Sequence, residues 1–379
     1  LFRSSHRGLT AEIPLSVSCR QSLVPYLDAD RILNTTKAGF AVFEENFGMP
    51  YPFADYAQIF VPEFNAGAME NAGCVTIRDE YLYRSRVTNA SYESRDNTIL
   101  HELAHMWFGD LVTMIWWDDL WLNESFAEWA SHFCQAEIRA KGSARDNPWA
   151  TFTNSRKTWA YRQDQLPSTH PVAADMVDLA AVELNFDGIT YAKGASVLRQ
   201  LVAFVGQEAF LAGVRAYFAE HAWGNTQLSD LLAALTTTSG RDLSHFAAEW
   251  LQTSGVNTLR AEFETDADGN FTRFAVRQTA VPQWPTLRHH RLAIGLYTEA
   301  DGKLARVHRV EVDIAGELTE IPELIGQARP DLILLNDDDL TYAKIRLDER
   351  SLTTARTHLS AFTEALPRAV VWGALWDAT

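Results

Sequence analysis

Hydrophobic residues recur at helical spacing through LDADRILNTTKAGFAVFEENFG, residues 27–48, and Gly48 with Pro50 stops that run. Before it, residues 1–22 break into short alternating pieces such as AEIPLSVSC, which read as strands. YAQIFVPEF (56–64) and GCVTIRDEYL (73–82) read as two more strands, joined by the glycine-bearing AGAMENAG. From Ser91 to about Leu251 the pattern is nearly all helical, broken at GDLVT, at KGSARDNP (141–148) and over the long LPSTHPVAADMVDLAAVELNFDG. The period then changes to two. RAEFETDADGNFTRFAV, HHRLAIGLYTEADGKLARVHRVEVDI and DLILLNDDDLTYAKIRLDE each run strand, Asp/Gly/Asn turn, strand, which predicts consecutive hairpins of a small β-sandwich over 259–345. Helical spacing returns in SLTTARTHLSAFTEALPRAVVWGALWDAT. The pattern predicts a multidomain α+β protein without internal repeats.

Within the helical region lies HELAHMWFGDLVTMIWWDDLWLNE, residues 101–124. His101 and His105 are four apart, so one helix face presents both imidazoles about 5–6 Å apart at Cβ. Two imidazoles in that relation can meet one ion. A zinc site open for catalysis takes three nitrogen or oxygen ligands and keeps a fourth position free. Glu124, with eighteen residues between it and His105, is placed to supply the third. The gap suffices to end one helix, turn through WWDD and start a second helix antiparallel to the first. Glu102 is rotated about 100° from His101 and cannot easily share the ion, but it can reach a water held there as a general base.

Composition narrows the partners. The 379 residues are 47% hydrophobic, enough for two or three packed domains, and carry a formal charge of −16. That acidity argues against nucleic acid, whose binding depends on neutralising phosphates, and suits a substrate bearing an amine. Cys19, Cys74 and Cys134 are scattered without metal-knuckle or disulfide-scaffold spacing, which points to a cytoplasmic setting. No apolar run approaches a membrane span, and LFRSSHRGLT has neither the apolar core of a signal peptide nor an initiator Met, so the start reads as a cut.

HELAH at 101–105, WLNESFAEW around Glu124, GAMEN at 67–71 and ITYAKGASVL at 189–198 together resemble the zinc aminopeptidases of the aminopeptidase N type, in order and in spacing. The resemblance implies the end of an N-terminal β domain at 1–22 and a thermolysin-like catalytic domain at 23–258. It further implies a β-sandwich at 259–345 and the start of a C-terminal helical domain at 346–379. It implies one Zn2+ held by His101, His105 and Glu124, with Glu102 as general base. Glu70 would pair with the free α-amine of a peptide, Gly67 and Ala68 would lie along the substrate backbone, and the Tyr191 hydroxyl would stabilise the developing oxyanion.

Asp110 departs from the family, where Asn is usual after WFG. Glu128, one turn beyond Glu124, reads as an exposed helix glutamate ahead of a group orienting a histidine. Trp107, Trp116, Trp117, Trp121 and Trp129 are expected to wall the site and fix helix packing. The expected activity is removal of N-terminal residues from peptides with a free amine. Weak turnover is expected, because the N- and C-terminal domains of a full-length enzyme would be missing and the apolar faces of AVVWGALW left without partners. Two alternatives stand beside it: a folded zinc-binding but inactive fragment, and a related zinc hydrolase with another substrate.

Overall fold

A computed structural model describes residues 1–140 and 147–378, so most of the KGSARDNP break and the last residue of the C-terminal segment lie outside the described residues. The chain is mixed α and β and divides into two compact units. One holds the residues up to 140 together with 208–241, and the other holds 147–207 with 242–378.

The first unit is built on a five-stranded sheet. Strands β1 (Phe2–Arg7) and β2 (Glu12–Cys19) form an antiparallel pair, and helix α1 (Ala29–Phe47) then carries the chain across to β3 (Tyr56–Val61), which runs parallel to β2. That crossover is what a parallel neighbour requires. The sheet continues through β5 (Cys74–Arg78) to the short β4 (Ala68–Met69), in the order β1-β2-β3-β5-β4, so β4 forms an edge. Strands β1 and β2, expected as the end of a preceding β domain, thus belong to the same sheet as the GAMEN strand.

Helix α1 ends where its pattern predicts. Gly48 closes it at φ 61° with its N–H on the Glu44 carbonyl, a left-handed cap that costs glycine nothing. Its buried stripe, including Ile32, Phe40, Phe43 and Phe47, meets Trp107 through edge contacts of 5.8–6.4 Å from the three phenyl rings. Helices α2 (Asn89–Ala104) and α3 (Trp121–Ala140) bracket the 101–124 stretch, with short β6 (Thr113–Met114) between them. Helix Gln207–His221 adds Phe210 and Phe218 to this aromatic core, against Trp129 and Phe108 respectively. Strand β7 (Asn225–Thr226) pairs with β6.

The second unit contains two sheets around one core. Strands β8 (Asn257–Thr265) and β9 (Phe271–Thr279) pair antiparallel, as do β10 (His290–Ala300) and β11 (Lys303–Ile314), each through the turn expected from Asp and Gly. Strand β12 (Leu318–Glu320) adds to β9. The third expected hairpin is not one. Strand β13 (Leu332–Asp337) pairs with β10, whereas β14 (Ala343–Arg346) pairs parallel with β8 in the other sheet. Asn336 at the end of β13 and Asp338 and Asp339 just beyond it have φ of 55°, 64° and 54°, and these left-handed residues redirect the chain between sheets instead of folding it back. The Asp339 carboxylate is fixed by Lys157 Nζ at 2.6 Å and by the Thr153 hydroxyl at 2.6 Å. Leu259, Phe274, Val276, Leu292, Ile294 and Ile333 from both sheets make the shared core.

At the C-terminal end, helix Ala365–Trp376 buries Ala369, Val370, Val371 and Ala374 and exposes Trp372 and Trp376. The AVVWGALW segment therefore finds partners for one face, among them Tyr297, Leu332 and Leu334, contrary to the expectation that its faces lie bare. Among the described residues of this unit there are three π-helical turns, at Phe152–Lys157, Ile189–Lys193 and Ala247–Leu251. The second is anchored by Lys193 Nζ, 2.8 Å from Asp164 Oδ2 with both side chains wholly buried. Removing one member of such a pair leaves a buried charge, so Lys193→Met is expected to cost about 3–5 kcal/mol in urea unfolding. A loss below about 1 kcal/mol would show that this ion pair does not hold the turn. No single helix among the described residues is long and apolar enough to cross a membrane.

Candidate metal centre

Polar ties zip α2 to α3 in antiparallel register. Asn97 Nδ2 donates to Ser131 Oγ and to Gln135 Oε1, both at 3.1 Å, and Arg139 Nη2 reaches Glu93 Oε1 at 2.7 Å. This register sets the first turn of α3, which carries Glu124, opposite the last turn of α2, which carries His101. His105 is the residue at which α2 ends; its N–H still bonds the His101 carbonyl at 3.3 Å. The helix thus persists just long enough to keep both imidazoles on one face.

Their Nε2 atoms lie 3.1 Å apart, and each is 3.4 Å from Glu124 Oε2. A tetrahedral zinc with bonds of about 2.0–2.1 Å spaces its ligand atoms by about 3.3 Å, so the three atoms have the separation of one face of such a site. Glu124 Oε2 is buried and lacks a hydrogen bond in this arrangement, as does Glu102 Oε2. Such oxygens are costly unless a cation or a donor meets them. His105 Nδ1 lies 2.9 Å from the Phe108 carbonyl, which fixes the tautomer with the proton on Nδ1 and leaves Nε2 as a ligand.

The cluster's electrostatics favour a positive charge at its centre. Burial opposes ionisation of His105, but Glu70 and Glu124 overcome it and hold the imidazolium well above its ordinary range. Burial likewise works against the Glu124 carboxylate, yet His105 and His101 depress it below its usual value. Without an ion, a proton on His105 supplies the charge that these carboxylates demand. Glu102 goes the other way: burial raises it well above a normal carboxyl, His105 pulls it down, and the neighbouring Glu70, Glu124 and Asp110 carboxylates push it up again. A carboxyl held high beside a cation site can both take and return a proton.

Glu70 follows the edge strand β4 directly, and its Oε1 is 3.8 Å from His105 Nδ1. Gly67 is exposed and Ala68 half-buried on that same edge, next to β5. Tyr191 belongs to the second unit, on the π-turn Ile189–Lys193, with the Trp159 and Phe186 rings 6.1 and 6.4 Å away. The structure accordingly gathers His101, His105, Glu124, Glu102 and Glu70 into one cluster of the first unit.

Two expectations need correction. Glu128 is not exposed: it is 2% accessible, its Oε2 lies 3.9 Å from His101 Nδ1, and its Oε1 is 3.6 Å from His132. The signal was present in the sequence, since a residue four after Glu124 shares its helix face and so points at α2. The tryptophans divide. Trp107, Trp121 and Trp129 are core, Trp117 is half-buried, and Trp116 is 58% exposed, so they do not form a common wall. Asp110 is raised to about 7 by burial, against the pull of His105 and with the help of Glu70.

Residues 31–250 match the peptidase family M1 domain. The chain belongs to that family. It is 62% identical over 374 residues to an aminopeptidase N from Streptomyces lividans, an alignment covering 97% of this chain and 43% of that protein. It is 38% identical over 247 residues to a tricorn protease-interacting factor F2 from Thermoplasma volcanium, covering 65% of this chain and 30% of the other. A leucyl aminopeptidase from Saccharolobus solfataricus is 39% identical over 219 residues, with 58% and 27% covered. The chain thus spans less than half the length of these curated relatives.

Proposed function

We propose that this chain carries the catalytic site of a zinc-dependent aminopeptidase, which removes the N-terminal residue of peptides having a free amine. The observation that carries the proposal is the triangle of His101 Nε2, His105 Nε2 and Glu124 Oε2, with sides of 3.1, 3.4 and 3.4 Å. Zinc in that triangle would supply Lewis acidity and bring a water's pKa towards neutrality. Glu102 takes the proton of the attacking water and passes it to the leaving amine. Glu70 pairs with the substrate's α-ammonium, which fixes the cut one residue from the terminus. Gly67 and Ala68 offer an open strand edge on which the substrate backbone can lie as an added strand. The Tyr191 hydroxyl donates to the oxyanion, where a donor acts chiefly in the transition state.

The same reading keeps the segments 23–258, 259–345 and 346–379 as parts of a larger domain scheme, with 1–22 joined to the sheet of the first of them, and a cytoplasmic setting. Its test is a pair of aminoacyl-amide dyes, one with a free amine and one N-acetylated. Hydrolysis of the first alone is expected, because an acylated amine offers the half-buried Glu70 carboxylate no positive charge to pair with. Equal rates on both would make the chain a zinc hydrolase of another class.

Tyr191→Phe deletes one hydroxyl with little change of volume. Its kcat is expected to fall by roughly 10²–10³ with a smaller change in KM. A change confined to KM would reduce Tyr191 to a substrate-binding residue.

A further inference from the structure

One aspartate holds the entrance of the π-turn that carries Tyr191. The Asp187 carbonyl accepts the Tyr191 N–H at 3.0 Å, and Asp187 Oδ1 accepts the N–H groups of Ile189 at 2.9 Å and Thr190 at 3.0 Å. Its other oxygen, Oδ2, is 2.9 Å from His170 Nε2. His170 Nδ1 in turn faces the Pro171 carbonyl at 2.7 Å. Both ring nitrogens therefore face acceptors. Only the imidazolium can donate to both; a neutral ring must forfeit one contact.

The rest of the turn is closely packed. Gly188 donates its N–H to Gln163 Oε1, and a Cβ at this position would come within 2.9 Å of the Trp159 ring. At the far end Lys193 is fixed by Asp164 and by the Gly255 carbonyl at 3.2 Å. The His170 and Asp187 side chains are 18% and 14% accessible, so solvent only partly screens the pair.

We propose that His170 is a positioning residue: by donating to both Asp187 and the Pro171 carbonyl, it locks Asp187 against the start of the π-turn and so sets where the Tyr191 hydroxyl is presented. The proposal rests on the reading of Tyr191 as the oxyanion donor. Burial works against the cation on this ring, but the Asp187 carboxylate and the Pro171 carbonyl favour it and outweigh burial and the opposing charge of Lys193, so the imidazole is raised above its ordinary 6.5. The sign follows. The doubly bonded state is fully present below about pH 6.5 and is lost as pH rises through the raised value of the folded protein.

The test uses the zinc-loaded chain labelled with 13Cζ-tyrosine, in which Tyr191→Phe identifies the Tyr191 resonance. In the wild type that line is expected to shift as His170 titrates, and the step is expected to vanish in His170→Gln. The same substitution should lower kcat roughly 10- to 100-fold on a free-amine aminoacyl amide, with KM changed less than about twofold. In a Tyr191→Phe background it should cost nothing further, because no hydroxyl remains to be positioned. A Tyr191 line that neither titrates nor responds to His170→Gln would overturn the proposal. So would an equal loss of kcat in both backgrounds, which would mark a general structural role. Asp187→Asn keeps an oxygen for the turn but loses the charge, and it gives the same spectroscopic test should His170→Gln fail to fold. Full activity in Tyr191→Phe would refute the catalytic reading of Tyr191, while the resonance would still decide whether His170 positions it.

Discussion

Glu102→Gln is expected to keep one equivalent of zinc while turnover of a free-amine substrate falls by about 10²–10⁴-fold. The two halves of that result have separate causes. Glu102 lies outside the triangle formed by His101, His105 and Glu124, so the amide leaves all three ligand atoms in place. What disappears is a carboxyl whose proton affinity is raised by burial and by the neighbouring Glu70, Glu124 and Asp110, against His105. An amide of the same shape cannot accept a proton from water or return one to an amine. Substrate binding is assigned to Glu70 and to the edge of β4, so KM should change much less than kcat. Metal content and steady-state kinetics on one preparation check both halves. Full activity would remove Glu102 from the mechanism, and loss of zinc would move it into the ligand set.

His105→Ala is expected to abolish both metal binding and activity, and to destabilise the fold as well. The ring supplies one corner of the triangle, at 3.1 Å from His101 Nε2 and 3.4 Å from Glu124 Oε2. Two remaining ligands do not make a structural or catalytic zinc site. His105 is also the group whose positive charge Glu70 and Glu124 stabilise in the absence of an ion. Its removal leaves Glu102 and Glu124, both buried, without their principal cation. A broken buried pair typically costs about 3–5 kcal/mol, so the variant should unfold at lower urea than metal-free wild type. Comparing it with metal-free rather than zinc-loaded protein separates this term from the stability contributed by the metal. Zinc at full occupancy in His105→Ala would refute the ligand assignment.

The site was legible in the sequence to the extent that helix geometry determines it. Histidines four apart on α2, and a glutamate at the start of α3, converge because 3.6 residues per turn and an antiparallel return leave few other arrangements. The same helical period predicted α1 and its Gly48 stop, and the change to a period of two with Asp/Gly turns predicted the hairpins β8–β9 and β10–β11. The failures are tertiary. Nothing in DLILLNDDDLTYAKIRLDE distinguishes a hairpin from a chain that changes sheet, because the choice rests on Asp339 meeting Lys157, 182 residues away in sequence. Glu128 was read as exposed because burying a glutamate is rarely favourable, and the compensating His101 and His132 become apparent only once α2 is packed on α3. Trp116 failed in the opposite direction, since an aromatic within a Trp-rich stretch suggests core and this one lies at the surface. The π-turn beneath Tyr191 has no periodic signature; it follows from Asp187 and Lys193 contacts made by side chains.

The most direct measurement is the anomalous scattering of crystals of the chain, grown with zinc and recorded on both sides of the zinc absorption edge. One strong peak is predicted, about 2.0–2.2 Å from His101 Nε2, His105 Nε2 and a carboxylate oxygen of Glu124, with Glu102 outside bonding distance. A zinc-loaded crystal with no peak at that triangle, or with the ion held by Glu102 in place of one of the three, would contradict the account.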